Sequence, residues 1–325
     1  MPRIQTRIAA SLACCLFLNS CSSSSHGVQE KYVLVATNIK IPYWQTAAAG
    51  LAQVATDLKV TTQLTGPGTY DPKAQREEFA RIVASKPAGI LLSAADPELL
   101  KDDINKAIAA GIPVITMDSD APSSQCVMFI GTNNYQVGLM GGRVLSKQLQ
   151  GKGNVVVFSI PAQANLDERL QGYKEALVSS PQISIVQVVD IRGDSSLAFD
   201  KTVEIIDPGK LKIDAFVCLE ATACKEVAEV LNRKKSTGKV LIAMDTEQGT
   251  LDWIEKGVIA ATIAQRPYTM AYYGVKMLDD LHHHKLEPLS GNWRQNLASP
   301  IPALIDTGAS LVDKSNLGEI RGTTK

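Results

Sequence analysis

From residue 31 onward, short apolar runs alternate with segments of helical periodicity, and the alternation is carried through twice. The first round has the runs KYVLVAT, VTTQLTG, AGILLSA, IPVITMD and CVMFIGT. Between them lie the helical stretches YWQTAAAGLAQVATDL, PKAQREEFARIVAS and PELLKDDINKAIAAG. The last of these opens on Asp96-Pro97, a cap residue followed by proline at the first helical position. After the helix NYQVGLMGGRVLSKQL the pattern restarts with GNVVVFSI, ISIVQVVDI, DAFVCLE, KVLIAMD and IAATIAQ. NLDERLQGYKEALVSS, a stretch around 196–207, TACKEVAEVLNRK and QGTLDWIEKG separate these strands, and a helix over 268–284 follows. The strands are continuously apolar rather than alternating, so both of their faces are buried. Repeated β–α units with such strands predict parallel sheets covered by helices, an α/β fold of two Rossmann-like lobes.

The two rounds echo each other. GIPVITMDS and GKVLIAMDT both end a strand in Met-Asp-hydroxyl, and VLVATNI corresponds to VVVFSIP. In open α/β sheets, ligands bind just outside the carboxyl ends of the strands. Two lobes facing each other there would form a cleft, and the polar residues at strand ends are its candidate lining.

Asp118 and Asp245 hold equivalent positions in the two rounds. A carboxylate accepts several charge-assisted hydrogen bonds, which suits vicinal hydroxyls, although Asp in such places also caps helices. Asp120, in the turn sequence DAPSS, reads as turn or hinge chemistry. After the first strand come Asn38, Lys40 and the adjacent aromatics Tyr43 and Trp44. That aromatic pair does not recur at core spacing and suits stacking on the apolar face of a sugar. Asn165 and Arg169 are four apart and share a helix face. Glu220 and Gln265 end strands, with loop polarity as the plainer reading.

Other chemistry finds little support. Basic and acidic residues number 33 each, with no basic stripe for nucleic acid. LMGG and GKGN lack the dinucleotide fingerprint, and no P-loop lysine motif occurs. His282, His283 and His284 are adjacent, so they do not share a helix face for a metal. No cofactor or metal is expected. Cys126, Cys218 and Cys224 make neither a disulfide framework nor a zinc pattern and are expected as buried thiols.

The N-terminus reads as a targeting segment over residues 1–21. Arg3 and Arg7 precede the apolar run IAASLACCLFL, which is too short to span a bilayer. LNSC, Leu18 to Cys21, resembles the lipobox of bacterial lipoproteins, with Cys21 as the acylated residue; ordinary secretion with nearby cleavage is the alternative. CSSSSHGVQ then forms a polar tether over 22–30. Removing residues 1–20 takes two arginines from the 33 basic residues and nothing from the 33 acidic ones, leaving a balance of −2.

IPYW, GIPVITMDSD, IGTNNYQVG, DERLQGY, MDT and GVIAATIAQRPY, in that order, make residues 31 to about 305 resemble the periplasmic sugar-binding proteins of the ribose/galactose-binding type. The resemblance implies a type 1 periplasmic binding protein: two lobes joined by a three-stranded hinge, 31–132 plus 266–293 and 133–265 plus 294–325. It matches Tyr43 and Trp44 to stacking aromatics, and Asp118, Arg169, Asp245 and Gln265 to polar ligand contacts, with Asn165 beside the arginine. It implies a periplasmic, monomeric, non-enzymatic solute receptor for an ABC importer, working with a membrane permease and touching the membrane only through the N-terminal lipid. The sequence departs from the ribose type at Lys40 and Ile41, where that type has Asn-Asn, at Ser119 for Arg, and at Glu220 for Asn. Lys40 and Glu220 would then pair across the cleft, or one would meet a charged ligand group. Autoinducer-2 receptors, with DSD at the same place, keep a sensory role open. A sugar-responsive transcription regulator would need a DNA-binding domain where the targeting segment stands. A hydrolase or isomerase would use the two carboxylates as acid and base.

Overall fold

The inner apolar runs form strands covered along their whole length, while the edge runs Thr61–Thr65 and Gln182–Asp190 stay partly exposed. A computed structural model describes residues 30–323. In the first half, β1 (Lys31–Val35), β2 (Thr61–Thr65), β3 (Gly89–Leu92), β4 (Val114–Met117) and β5 (Phe129–Gly131) alternate with α1 (Pro42–Leu58), α2 (Pro72–Ala84) and α3 (Pro97–Ala109). In the second, α4 (Asn134–Gln148) leads into β6 (Lys152–Ser159), α5 (Ala164–Leu177), β7 (Gln182–Asp190), α6 (Ser195–Ile205), β8 (Ala215–Cys218), α7 (Ala223–Arg233), β9 (Val240–Met244), α8 (Gln248–Glu255) and β10 (Ala261–Ala264). The chain closes with α9 (Pro267–His283), β11 (Leu304–Asp306), β12 (Ser310–Val312) and α10 (Leu317–Thr323).

Two sheets of six strands result, in the orders β11-β5-β4-β3-β1-β2 and β12-β10-β9-β8-β6-β7. Every pairing is parallel except β10 with β12. Leu34, Ile90, Leu91, Val114 and Ile115 are fully buried in the first core, and Val155, Phe158, Phe216 and Ile242 in the second. Burying each such side chain contributes about 1.5–3 kcal/mol. Helix starts follow local rules. Asp96 accepts from the Leu99 amide at 2.9 Å, and Asp71 accepts from the amides of Lys73 and Ala74, each ahead of a proline.

The chain crosses between lobes three times: from β5 to α4, from β10 to α9, and from β11 to β12. Helix α9 returns to the first lobe, where Met270, Ala271, Val275 and Leu278 join its core. The third crossing differs from the expected boundary. Leu304–Asp306 pair with Phe129–Gly131 in the first sheet, although residues from 294 on were expected with the second lobe. Arg294 also stays with the first lobe, forked onto Asp120 at 2.7 and 3.0 Å. Only after Asp306 does the chain enter the second sheet. A three-residue strand at a sheet edge has no apolar run to announce it, and its pairing is supplied by β5 alone.

Candidate functional site

The carboxyl ends of the two sheets face each other across a cleft. Asp118 and Asp245 reach it in the same way. Each is the residue after its strand, each has a left-handed backbone (φ 66° and 63°), and each amide donates to the neighbouring strand, at Ile130 O and Ile263 O. Asp is among the few side chains that tolerate this conformation, because its short polar group bonds locally. Both side chains are buried.

Asp118 accepts from the Tyr43 hydroxyl at 2.9 Å and from the Ser93 hydroxyl at 3.1 Å. Burial raises its carboxyl above the ordinary value, opposed by the Arg169 charge and by bonds from Tyr43, Ser93 and Asn165. Arg169 and Asn165 belong to the other lobe, so the lobes meet here. Tyr43 and Trp44 stand at the start of α1, edge to face with centroids 5.1 Å apart. Pro42 at the first helical turn and the extended Ile41 before it set that start.

Arg169 is 1% exposed, and each of its three nitrogens donates one bond within the protein. Its Nε donates to Asn134 Oδ1 at 2.9 Å, one terminal nitrogen to Leu219 O at 2.7 Å, and the other to Gln265 Oε1 at 2.8 Å. Gln265 Nε2 passes the polarisation on to Asp245, at 3.1 and 3.3 Å from its two oxygens. Burial pushes the Asp245 carboxyl up to about 7, against the Arg169 charge and the Gln265 bond, with the Asp118 charge adding to the rise. One guanidinium thus balances two acids from opposite lobes.

Asn38, Tyr43, Trp44, Asp118, Asn165, Arg169, Glu220, Asp245 and Gln265 all line this cleft. Lys40 does not line it. Lys40 is exposed and its side chain lies against Gly68, while its amide donates to Asn38 Oδ1 at 3.0 Å. The expected Lys40–Glu220 pair does not form. Glu220 turns to the start of α7 instead, accepting from the amides of Thr222 and Ala223 at 2.7 and 2.6 Å and from the Thr222 hydroxyl at 2.8 Å. Burial raises the Glu220 carboxyl, and these three bonds oppose the rise. Ser119 is fully buried away from the cleft. Asp120 also lies outside the lining, held by Arg294 and by the Thr116 hydroxyl at 2.5 Å. Cys126, Cys218 and Cys224 are buried free thiols. Cys21 and the targeting segment lie outside the described residues.

The structure adds Thr37, Ile41, Tyr70, Ile160, Gln163, Leu166, Gly193, Ala221 and Thr222 to the lining. Gln163 had a signal: it follows VVVFSIP, the echo of the strand that yields Asn38. Tyr70 had none, because it sits in the turn-rich GPGTYDP. Glu30, Asp279 and His283 bring three carboxylate or imidazole ligand atoms within 4.8 Å of one another, far from this cleft at the end of α9. His283 alone of the histidine run is in that group.

Two α/β lobes joined by three crossovers, with opposed polar groups facing one cleft between them, define a two-lobed receptor for a small solute. The chain belongs to the periplasmic binding protein domain family, whose model matches residues 32–285. It is 23% identical over 269 residues to the D-allose-binding periplasmic protein of Escherichia coli (strain K12), covering 79% of this chain and 86% of that one. It is 26% identical to the D-apiose import binding protein of Paraburkholderia graminis, covering 64% and 67%. Among solved structures, the sugar-binding protein of a sugar ABC transporter from Bacillus halodurans is 34% identical with a TM-score of 0.77, over 89% of this chain and 99% of that one. The arabinose-binding protein AraP of Geobacillus stearothermophilus is 32% identical with a TM-score of 0.72, over 90% and 99%. No helix among the described residues is long and apolar enough to cross a membrane.

Proposed function

We propose that this protein is the solute-binding component of an ABC importer for a monosaccharide or similar polyhydroxylated molecule. The observation that carries this reading is the pair Asp118 and Asp245. They present carboxyl groups from opposite lobes, in the same backbone state, to one space beside Trp44. A ligand donating hydroxyls to both would bridge the lobes and shift the population toward the closed form, which a permease then recognises. Asn38, Asn165, Arg169 and Gln265 supply further hydrogen bonds, and Tyr43 and Trp44 an aromatic wall. The relatives bear the names of import or periplasmic binding proteins, which favours transport over a sensory role and over catalysis. The ligand-binding role of each residue rests on this geometry.

Calorimetric titration with D-allose, D-apiose, D-ribose, D-arabinose, D-xylose and a set of polyols tests the reading. At least one is expected to bind saturably. Failure of every neutral sugar and polyol, alongside tight binding of another solute class, overturns it. We also propose periplasmic tethering through acylated Cys21, with the chain acting as a monomer. Cys21→Ser should move the protein from the membrane to the soluble fraction and abolish incorporation of labelled fatty acid. Unchanged partitioning would leave simple secretion.

A further inference from the structure

Tyr70 belongs to the first lobe by sequence and to the second by packing. It lies in the loop between β2 and α2, and its hydroxyl donates to Ala95 O of its own lobe at 2.8 Å. Its ring nevertheless packs against the second hydrophobic core. Among the described residues assigned to that core or packed on it, Tyr70 is the one that precedes residue 144. Burial raises its phenol, and the charges of Asp190 and Asp167 across the cleft, with that of Asp96 in its own lobe, add to the rise.

The contact that admits this ring is Gly193, in the turn between β7 and α6. A Cβ placed on Gly193 would lie 2.2 Å from Tyr70 Cβ and 2.7 Å from Tyr70 Cγ. The backbone there is left-handed, at φ 69°, directly after Arg192 at φ 51°. The second lobe thus has a notch without a side chain where the first lobe inserts a tyrosine. Both residues line the cleft that holds Asp118 and Asp245.

We propose that Tyr70 seated on Gly193 is the latch that holds the cleft shut over its solute and sets how fast the solute leaves. The hydrogen bond to Ala95 orients the ring before closure, so closing requires no search by that side chain. Dissociation requires the ring to leave the notch, because Tyr70 forms part of the wall. This rests on the receptor reading given above, but the latch itself is a property of closure.

The test uses the full chain and the monosaccharide that binds in the panel just described. Dissociation is followed by stopped-flow fluorescence, and closure without added solute by acrylamide quenching of tryptophan, since Trp44 lines the cleft and is 2% exposed. Tyr70→Ala is expected to speed dissociation ~10-fold, the size expected for losing a half-buried aromatic contact. Tyr70→Phe keeps the ring and should stay near wild type. Gly193→Ala should act at least as strongly as Tyr70→Ala in the wild-type background, yet add much less in a Tyr70→Gly background, where the Cβ and the ring it would meet are both gone. That non-additivity separates the latch from plain strain at a left-handed position. Unchanged dissociation in Tyr70→Ala, or an equal Gly193→Ala effect in both backgrounds, overturns the proposal. If no monosaccharide binds, the receptor reading falls and quenching decides the latch alone. Greater quenching in Gly193→Ala than in wild type supports it, and equal quenching overturns it.

Discussion

Burial pushes the Asp245 carboxyl up to about 7, against an ordinary value of 3.8. The folded protein therefore holds this proton over a window where the unfolded chain has lost it. Stability from this group is present at low pH and is lost as pH rises through about 7. Asp245→Asn keeps a side chain that tolerates φ 63° and removes the titration. The expected outcome is a steeper fall of melting temperature between pH 5 and 8 in wild type than in the variant, read by calorimetry. Sugar affinity should run the other way, rising with pH as the stronger, charged acceptor forms, and should be flat in Asp245→Asn. Asp118→Ala removes a charged acceptor worth about 1.5–3 kcal/mol per bond, so Kd should rise roughly tenfold to a hundredfold in titration. These two acids were legible in the sequence because the echo of MDS and MDT marks equivalent strand ends. Tyr70 and the Glu220 cap were not, because a lone turn aromatic has no period and a cap is defined by the backbone amides it meets. Lys40 was misplaced because its charge suggested a partner, while its position after Asn38 turns it to solvent.

At the scale of elements, α4 and α5 meet through glycines. A Cβ on Gly138 would lie 2.2 Å from Arg169 O, and one on Gly172 2.2 Å from Tyr135 O. The LMGG stretch, which fits no nucleotide fingerprint, extends this seam, since a Cβ on Gly141 would lie 2.0 Å from the Tyr173 hydroxyl and one on Gly142 2.6 Å from Ala176 Cβ. That approach also sets the site, because Asn134 on α4 accepts from Arg169 on α5. Gly138→Ala should therefore cost about 1–3 kcal/mol in denaturant unfolding and weaken sugar binding as Arg169 shifts. Glu220→Ala exposes the start of α7 and should lower stability by about 0.5–2 kcal/mol, checked in the same way. Strands and helices were readable because continuous apolar runs and 3.6-residue spacing are local signals. The place of β11 was not, because Leu304–Asp306 carry too little apolar surface to declare a sheet.

At the scale of the whole molecule, closure is the property that links site to transport. Small-angle scattering should show a smaller radius of gyration when a bound sugar is added, and Arg169→Ala should remove the change by uncoupling Asp118 and Asp245. The twofold β–α pattern made two lobes legible from the sequence, while the third crossing had to come from strand pairing. That crossing has a consequence for the order in which the protein is built. The first sheet needs Leu304–Asp306 and the second needs Ser310–Val312. A ribosome synthesising this chain thus delivers one edge strand of each lobe only after the other ten strands of the two sheets have emerged. Neither half can mature as an independent unit early in synthesis, and the two lobes are completed nearly together.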